Sequence, residues 1–362
     1  MLSCADLFRM GTSFVPEKNN NQEDLKENPQ KKLNTNVVQL ETEDFKNKIF
    51  QSLNRGEIYS KLSDNLLEMS LEINESLGEN LLDDEARIRI DGFAPNEQKD
   101  KDGILIFTKK DKERDQRKIK ELEMDFSEKY FSEKGIMKKD FISDYKLHNQ
   151  DDKKVKEKMI QVFKNERKLE RNALLEMALT SVFHKILKDR FLVVRSHPHD
   201  DFLNGADNVI VDKRTGDVVC AFDEVHDTKE GNRLNDKKEK IKKKAREGGA
   251  EIKYGITYEN GKLVKKKIQH VPTFYLGVDP KEFNTLLSNM NYDLSQAPDI
   301  TELRIFDMLI DSLEKQIDML EKEVAFSQND RSERAKNKKK VENKLRGFKS
   351  SLKVMKDLRA KF

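Results

Sequence analysis

The chain has 362 residues, 38% of them charged, with a net charge of only +3. That length allows two or more domains, and that much charge demands extensive solvated surface, but the near-balance of signs names no partner. Cys4 and Cys220 are the only cysteines, which excludes a disulfide framework and a cysteine-based zinc site. No run approaches the roughly 18 apolar residues of a membrane span. The start, MLSCADLFRMGTSFVP, lacks a basic segment followed by a continuous apolar one, so no signal peptide is expected. A reducing cytoplasm is the expected compartment.

In chain order, residues 17–40 are rich in Asn, Gln, Lys and Glu with few large apolar residues, and 1–40 are expected to be a disordered tail. A mostly helical region is expected over 41–160. Tyr59, Leu62, Leu66, Met69, Ile73 and Leu77 recur at three- and four-residue steps and mark one buried helical stripe. Arg87–Ile90 and Ile104–Thr108 read as short strands that pair across a polar loop. The aromatic residues Phe126, Tyr130, Phe131 and Phe141 predict a packed helical layer within an otherwise charged segment.

A second unit is expected over 161–290. Leu169–Leu187 reads as a helix with Ala173, Met177, Ala178, Val182, Phe183 and Ile186 on its apolar side. Phe191–Arg195 reads as a strand, and Ser196–Ala206 as a loop. Val209–Val211 and Val218–Phe222 flank a Gly-bearing turn and predict a hairpin. Cys220 falls inside its second run, as a small core residue. Asn235–Glu247 reads as a helix, capped at Asn235 or Asp236 and ended by Gly248 and Gly249. Ile252–Tyr258 and Pro272–Val278 read as further strands, divided by the Asn260-Gly261 turn. The predicted class is α/β, a mixed sheet flanked by helices.

Residues 300–362 change pattern. Leu303, Phe306, Ile310, Leu313, Ile317, Leu320 and Val324 alternate steps of three and four, and Val341, Leu345, Phe348, Leu352 and Met355 repeat the pattern beyond a polar stretch. This predicts an antiparallel coiled-coil hairpin; self-association of two chains through a parallel coil is the other arrangement the seam allows.

The hairpin carries acids at one end. Asp207 stands before its first strand, and Asp223-Glu224 close its second. Close carboxylates repel, and an oxygen-rich cluster suits Mg²⁺ or Mn²⁺. The element order (helix, three strands, helix, strands) and these acids resemble the PD-(D/E)xK nuclease superfamily over roughly 165–280. The resemblance implies a restriction-endonuclease-like sheet and a Mg²⁺- or Mn²⁺-dependent nuclease. Asp207 and Glu224 would hold the metal. His226 stands where that family usually has Lys and would act beside the attacking water. Glu176, on the preceding helix among Leu174, Leu175 and Met177, matches the place of an additional acid in the family. Strand alternation puts Asp223 on the face opposite Glu224. The following helix carries Lys237, Lys240, Lys243, Lys244 and Arg246, a positive stripe suited to the backbone of DNA or RNA. A catalytically inactive member that binds nucleic acid or protein is the alternative, because position 226 is not Lys.

A second concentration of polar groups is Ser196-His197-Pro198-His199-Asp200-Asp201. It is partly similar to the His-Pro-Asp-Asp motif of zinc-dependent deacetylases, but His199 interrupts it and the order of elements differs. The expectation is a loop that borders the acids and touches substrate, or only a polar loop.

Overall fold

The computed structural model describes residues 55–91, 108–148, 150–225, 232–259, 261–325 and 332–362. The predicted disordered tail, most of the strand predicted at Ile104–Thr108, and His226 lie outside the described residues. Residues 54–362 form one compact unit. Among the described residues no helix is long and apolar enough to cross a membrane.

The chain is α/β and mostly helical. Helix α1 spans 55–77, and its Leu62, Leu66, Met69 and Ile73 are buried as their spacing requires. Helices α2 (Lys109–Glu133), α3 (Lys138–Asp144) and α4 (Asp152–Arg167) follow. They bury Phe131, Phe141, Val155, Met159, Val162 and Phe163 in a small core of their own. Then come α5 (Arg171–Leu187), β1 (Phe191–Arg195), α6 (Pro198–Asn204), β2 (Asn208–Asp212), β3 (Val218–Val225) and α7 (Asn232–Glu247). Strands β4 (Ala250–Glu259), β5 (Lys262–Val271) and β6 (Thr273–Gly277) precede α8 (Pro280–Asn289), α9 (Ile300–Val324) and α10 (Glu333–Arg359).

Four strands make the central sheet in the order β1-β2-β3-β6. The first three are antiparallel neighbours, and β6 lies parallel to β3. A parallel neighbour needs a crossover, which α7 and the β4–β5 hairpin supply. Strands β1, β2 and β3 are buried along their whole length, as a sheet covered on both faces requires. The β2–β3 turn depends on Gly216. It has φ +78°, and an added Cβ would sit 1.7 Å from the Tyr258 carbonyl oxygen.

Three local expectations need correction. Ser196–Ala206 is largely helix α6. Pro198 occupies its first turn, where the missing N–H costs nothing, and the His197 ring accepts the His199 N–H at 3.1 Å. Helix α7 begins at Asn232, so Asn235 and Asp236 lie inside it. The lysine-rich segment Lys262–Val271 is a strand, paired with β4 in a separate two-stranded sheet. Its mostly half-exposed residues hide the apolar alternation that a strand normally shows.

Helices α9 and α10 run antiparallel, as their cross-helix ion pairs require: Asp307 with Arg359, Glu314 with Lys356, and Asp318 with Lys349. The predicted seam residues are buried. The helices are also part of the main core. Phe306 packs on Phe183 at 5.4 Å between ring centroids, and Phe348 on Phe274 at 4.8 Å. Gln316 closes the β6 edge, accepting the Tyr275 N–H at 3.0 Å and donating to its carbonyl at 2.9 Å.

Candidate functional site

Asp207 enters β2 from the end of α6. Its backbone N–H donates to the Phe222 carbonyl at 2.6 Å, and its own carbonyl accepts from the Ser196 N–H at 2.9 Å. These bonds fix where the side chain starts. Its Oδ2 accepts the backbone N–H of Glu224 at 2.8 Å, which locks the acid of one strand onto the acid of the next. Glu224 is fixed from the other side. Asn208 Nδ2 donates to its Oε1 at 2.6 Å, while Thr180 on α5 donates to Asn208 Oδ1 at 2.9 Å and so sets the amide orientation. Helix α5, β2 and β3 each contribute one link to this chain.

Both acids are nearly sealed, with Asp207 7% and Glu224 8% exposed. Oε2 of Glu224 is buried with no hydrogen-bond partner among the described residues. Burial, and then the negative charges of Asp201, Glu176, Glu224 and Asp223, push the Asp207 carboxyl well above the usual carboxylate range. Burial pushes Glu224 up to about 7, helped by Glu176 and Asp223 and opposed by hydrogen bonding with the Asp207 carboxyl and the Asn208 amide. At neutral pH such a pair must take up a proton or a cation, because two buried charges this close repel. Among the described residues no group of three or more His, Cys, Asp and Glu side chains is arranged to hold a metal ion.

Glu176 stands close enough to raise both acids but is turned to two arginines. Its Oε2 accepts from Arg195 at 3.0 Å and from Arg87 at 3.4 Å. Arg87 also donates to Asp201 at 3.3 Å. Burial pulls the Arg87 guanidinium down, yet Asp201, Glu176 and Glu85 more than reverse that and hold it above the usual arginine value. Beside this network lies a cavity of about 350 Å³, with Tyr59, Phe163, Phe202, Glu176 and Asp201 in its walls.

Sequence reading missed Arg87 and Arg195. The backbone joins them, since Ile88 N–H donates to the Arg195 carbonyl at 3.1 Å, but they lie more than a hundred positions apart in the chain. Asp201 was legible only as part of the polar segment. Asp200 and His197 in that segment are structural. The fully buried Asp200 accepts the backbone N–H groups of Lys253 and Tyr254 and the Asn204 amide, at 2.8, 2.9 and 2.8 Å. Burial holds His197 down near 4, so it is neutral when it caps α6.

The lysines of α7 divide. Lys237 pairs with Asp223. Nζ of Lys240 and Nζ of Lys244 lie 3.2 and 3.5 Å from where a Cβ on Gly205 would stand, with Asp223 Oδ2 also at 3.5 Å. Lys237, Lys240 and Lys244 thus share a face beside the acids. Burial first and Lys240 second bring Lys244 down to about 8, against the pull of Asp223. Lys243 is exposed, with no ion-pair partner among the described residues. Arg246 is bound to Glu323 on α9 at 2.9 Å.

The chain matches no protein-family model, no curated protein and no solved structure. Its chemistry is read from the site alone.

Proposed function

We propose that this chain is a metal-dependent nuclease of the PD-(D/E)xK kind, with Asp207 and Glu224 as the residues that hold Mg²⁺ or Mn²⁺. The observation that carries the reading is the acid pair: two buried carboxyls, both raised, one with an oxygen that has no partner among the described residues. The sheet order, with three antiparallel strands and a fourth parallel one reached through α7, supports a restriction-endonuclease-like core. A cation bound there would neutralise charge at a phosphate and activate water. The chain's own residues do the rest. Thr180 and Asn208 hold the Glu224 carboxylate in one orientation, and the Glu224 N–H holds Asp207. Lys240 and Lys244 place positive charge on the flank where a phosphate backbone would approach.

Glu176 is bound by two arginines, and this favours a second reading: a nuclease-like protein that grips nucleic acid without cutting it. Cleavage separates the two. Purified protein incubated with DNA or RNA in Mg²⁺ or Mn²⁺ should cut, EDTA should stop it, and Glu224→Gln should abolish it while binding survives. Cleavage by Glu224→Gln at the wild-type rate would remove the acid pair from the mechanism. Binding without any cleavage by the wild type would establish the second reading.

A further inference from the structure

The 350 Å³ cavity beside the Glu176 network draws its walls from four helices. Tyr59 comes from α1, Arg167 from α4, Ala173 and Glu176 from α5, and Asp201 and Phe202 from α6. Two short links join it to the acid pair. Arg87 donates to the Ser196 carbonyl at 3.4 Å, and the Ser196 N–H donates to the Asp207 carbonyl at 2.9 Å. One turn along α5, Thr180 donates both to the Glu176 carbonyl at 2.7 Å and to the Asn208 amide that orients Glu224.

The polar groups of the wall are unequally used. The arginine bonds to Glu176 both fall on Oε2, and the Arg87 bond to Asp201 falls on Oδ2. Glu176 Oε1 and Asp201 Oδ1 have no hydrogen-bond partner among the described residues, and these side chains are 15% and 20% exposed. Arg87 and Arg195 are already committed to carboxylates. With Asp83, Glu85, Glu176 and Asp201 against those two cations, a phosphate inside would meet net negative charge. A neutral ring that offers N–H groups would meet acceptors. The half-buried Tyr59 and Phe202 add aromatic surface to the same walls. At the rim, the exposed Arg167 has no ion-pair partner among the described residues.

We propose that this cavity takes one unpaired nucleobase of the strand whose phosphate lies on Asp207 and Glu224, so that single-stranded nucleic acid is the preferred substrate. The position of the strand rests on the nuclease reading; the base is the new element. A cavity of a few hundred Å³ suits a group of this size, and a base enters one only when it is out of its pair. Its face would stack on Phe202 or Tyr59 with little regard to sequence, and its amino edge would donate to Glu176 Oε1 and Asp201 Oδ1. Arg167 would attract the backbone outside.

The test is fluorescence anisotropy in EDTA, which prevents metal-dependent cutting, on the full chain. Three DNA probes of one length serve: a single strand, its blunt duplex, and a strand of abasic sites. The single strand should bind about tenfold more tightly than either of the others, the effect of stacking one base. Ala173→Leu fills the cavity from a half-buried helix position with another good helix former, so it should melt like wild type and lose the preference. Phe202→Leu should weaken the preference, because it removes a ring and keeps apolar bulk. Equal binding of the base-bearing and abasic strands would overturn the site, as would equal binding of single strand and duplex. A preference undiminished in both variants would place the base elsewhere. Cleavage in Mg²⁺ is read separately. A wild type that never cuts, yet holds a preference that Ala173→Leu abolishes, would sink the nuclease and leave the base site standing. One that cuts with no preference in binding would do the reverse.

Discussion

The two ends of the β2–β3 hairpin both carry buried carboxyls, and they are built in opposite ways. At the turn end, Asp212 has an arginine on one oxygen and two backbone N–H groups on the other. Its charge is compensated on every side, and it holds the turn in shape. At the open end, Asp207 and Glu224 lie together, other acids surround them, and one Glu224 oxygen has no partner among the described residues. Burial alone does not mark a functional acid, since Asp200 is buried more completely and is fully hydrogen-bonded. What separates the two ends is whether the protein itself supplies the compensating charge.

The largest effect expected from this contrast is on catalysis. Asp207→Asn and Glu224→Gln should each lower cleavage in Mg²⁺ by at least ~100-fold, about 3 kcal/mol of transition-state stabilisation. Single-turnover rates on a saturating oligonucleotide would show it. A loss confined to binding would mean that the acids shape the protein rather than its chemistry.

The second effect is on stability against pH without metal. Glu224 has its carboxyl raised from an ordinary value near 4.5 to about 7. Folding therefore favours the protonated form. The stability this gives is fully present below pH ~4.5 and is lost as pH rises to about 7, by roughly 3 kcal/mol at most. Denaturant melts in EDTA across that window should show the decline, and Glu224→Gln should make it shallower, leaving the part that the raised Asp207 carboxyl contributes. A flat wild-type profile would contradict the raised value.

Asp212→Asn should act with the opposite sign. It leaves Arg190 without its carboxylate and should destabilise the chain by about 2 kcal/mol at pH 7. Asp207→Asn should be neutral or stabilising there when no metal is present. Urea melts of the two variants side by side sharpen the contrast, and equal losses would break it.

The smallest effect is electrostatic. Removing Lys240 and Lys244 together should weaken nucleic-acid binding with little regard to sequence. The log–log salt dependence should become shallower by about 0.9 for each phosphate that is no longer neutralised. Binding titrations at several salt concentrations would measure it, and an unchanged slope would make these lysines solvated surface.

Much of the framework was legible in the sequence because it rests on local pattern. The seam from Leu303 to Val324 and the runs flanking Gly216 show their periods directly, and both occupy the expected places. Pairing Asp207 with Glu224 required only the hairpin register and strand alternation. Other features depend on distant partners. Glu176 could be picked out as an acid in an apolar setting, but Arg87 and Arg195 hold it, and no local pattern announces them. Strand β5 was hidden because its lysines sit on a half-exposed sheet. The double burial of α9, against α10 and against β6, was invisible because a heptad seam explains its apolar residues equally well without a sheet.

The most direct test of the acid pair is Mn²⁺-dependent melting of wild type and Glu224→Gln, measured together at pH 7.5. Mn²⁺ should raise the melting temperature of the wild type in a saturable way, because it binds the folded pair and not the unfolded chain. Glu224→Gln should show little or no response. The same Mn²⁺ response in both proteins would show that the pair does not hold the cation, and would contradict the account.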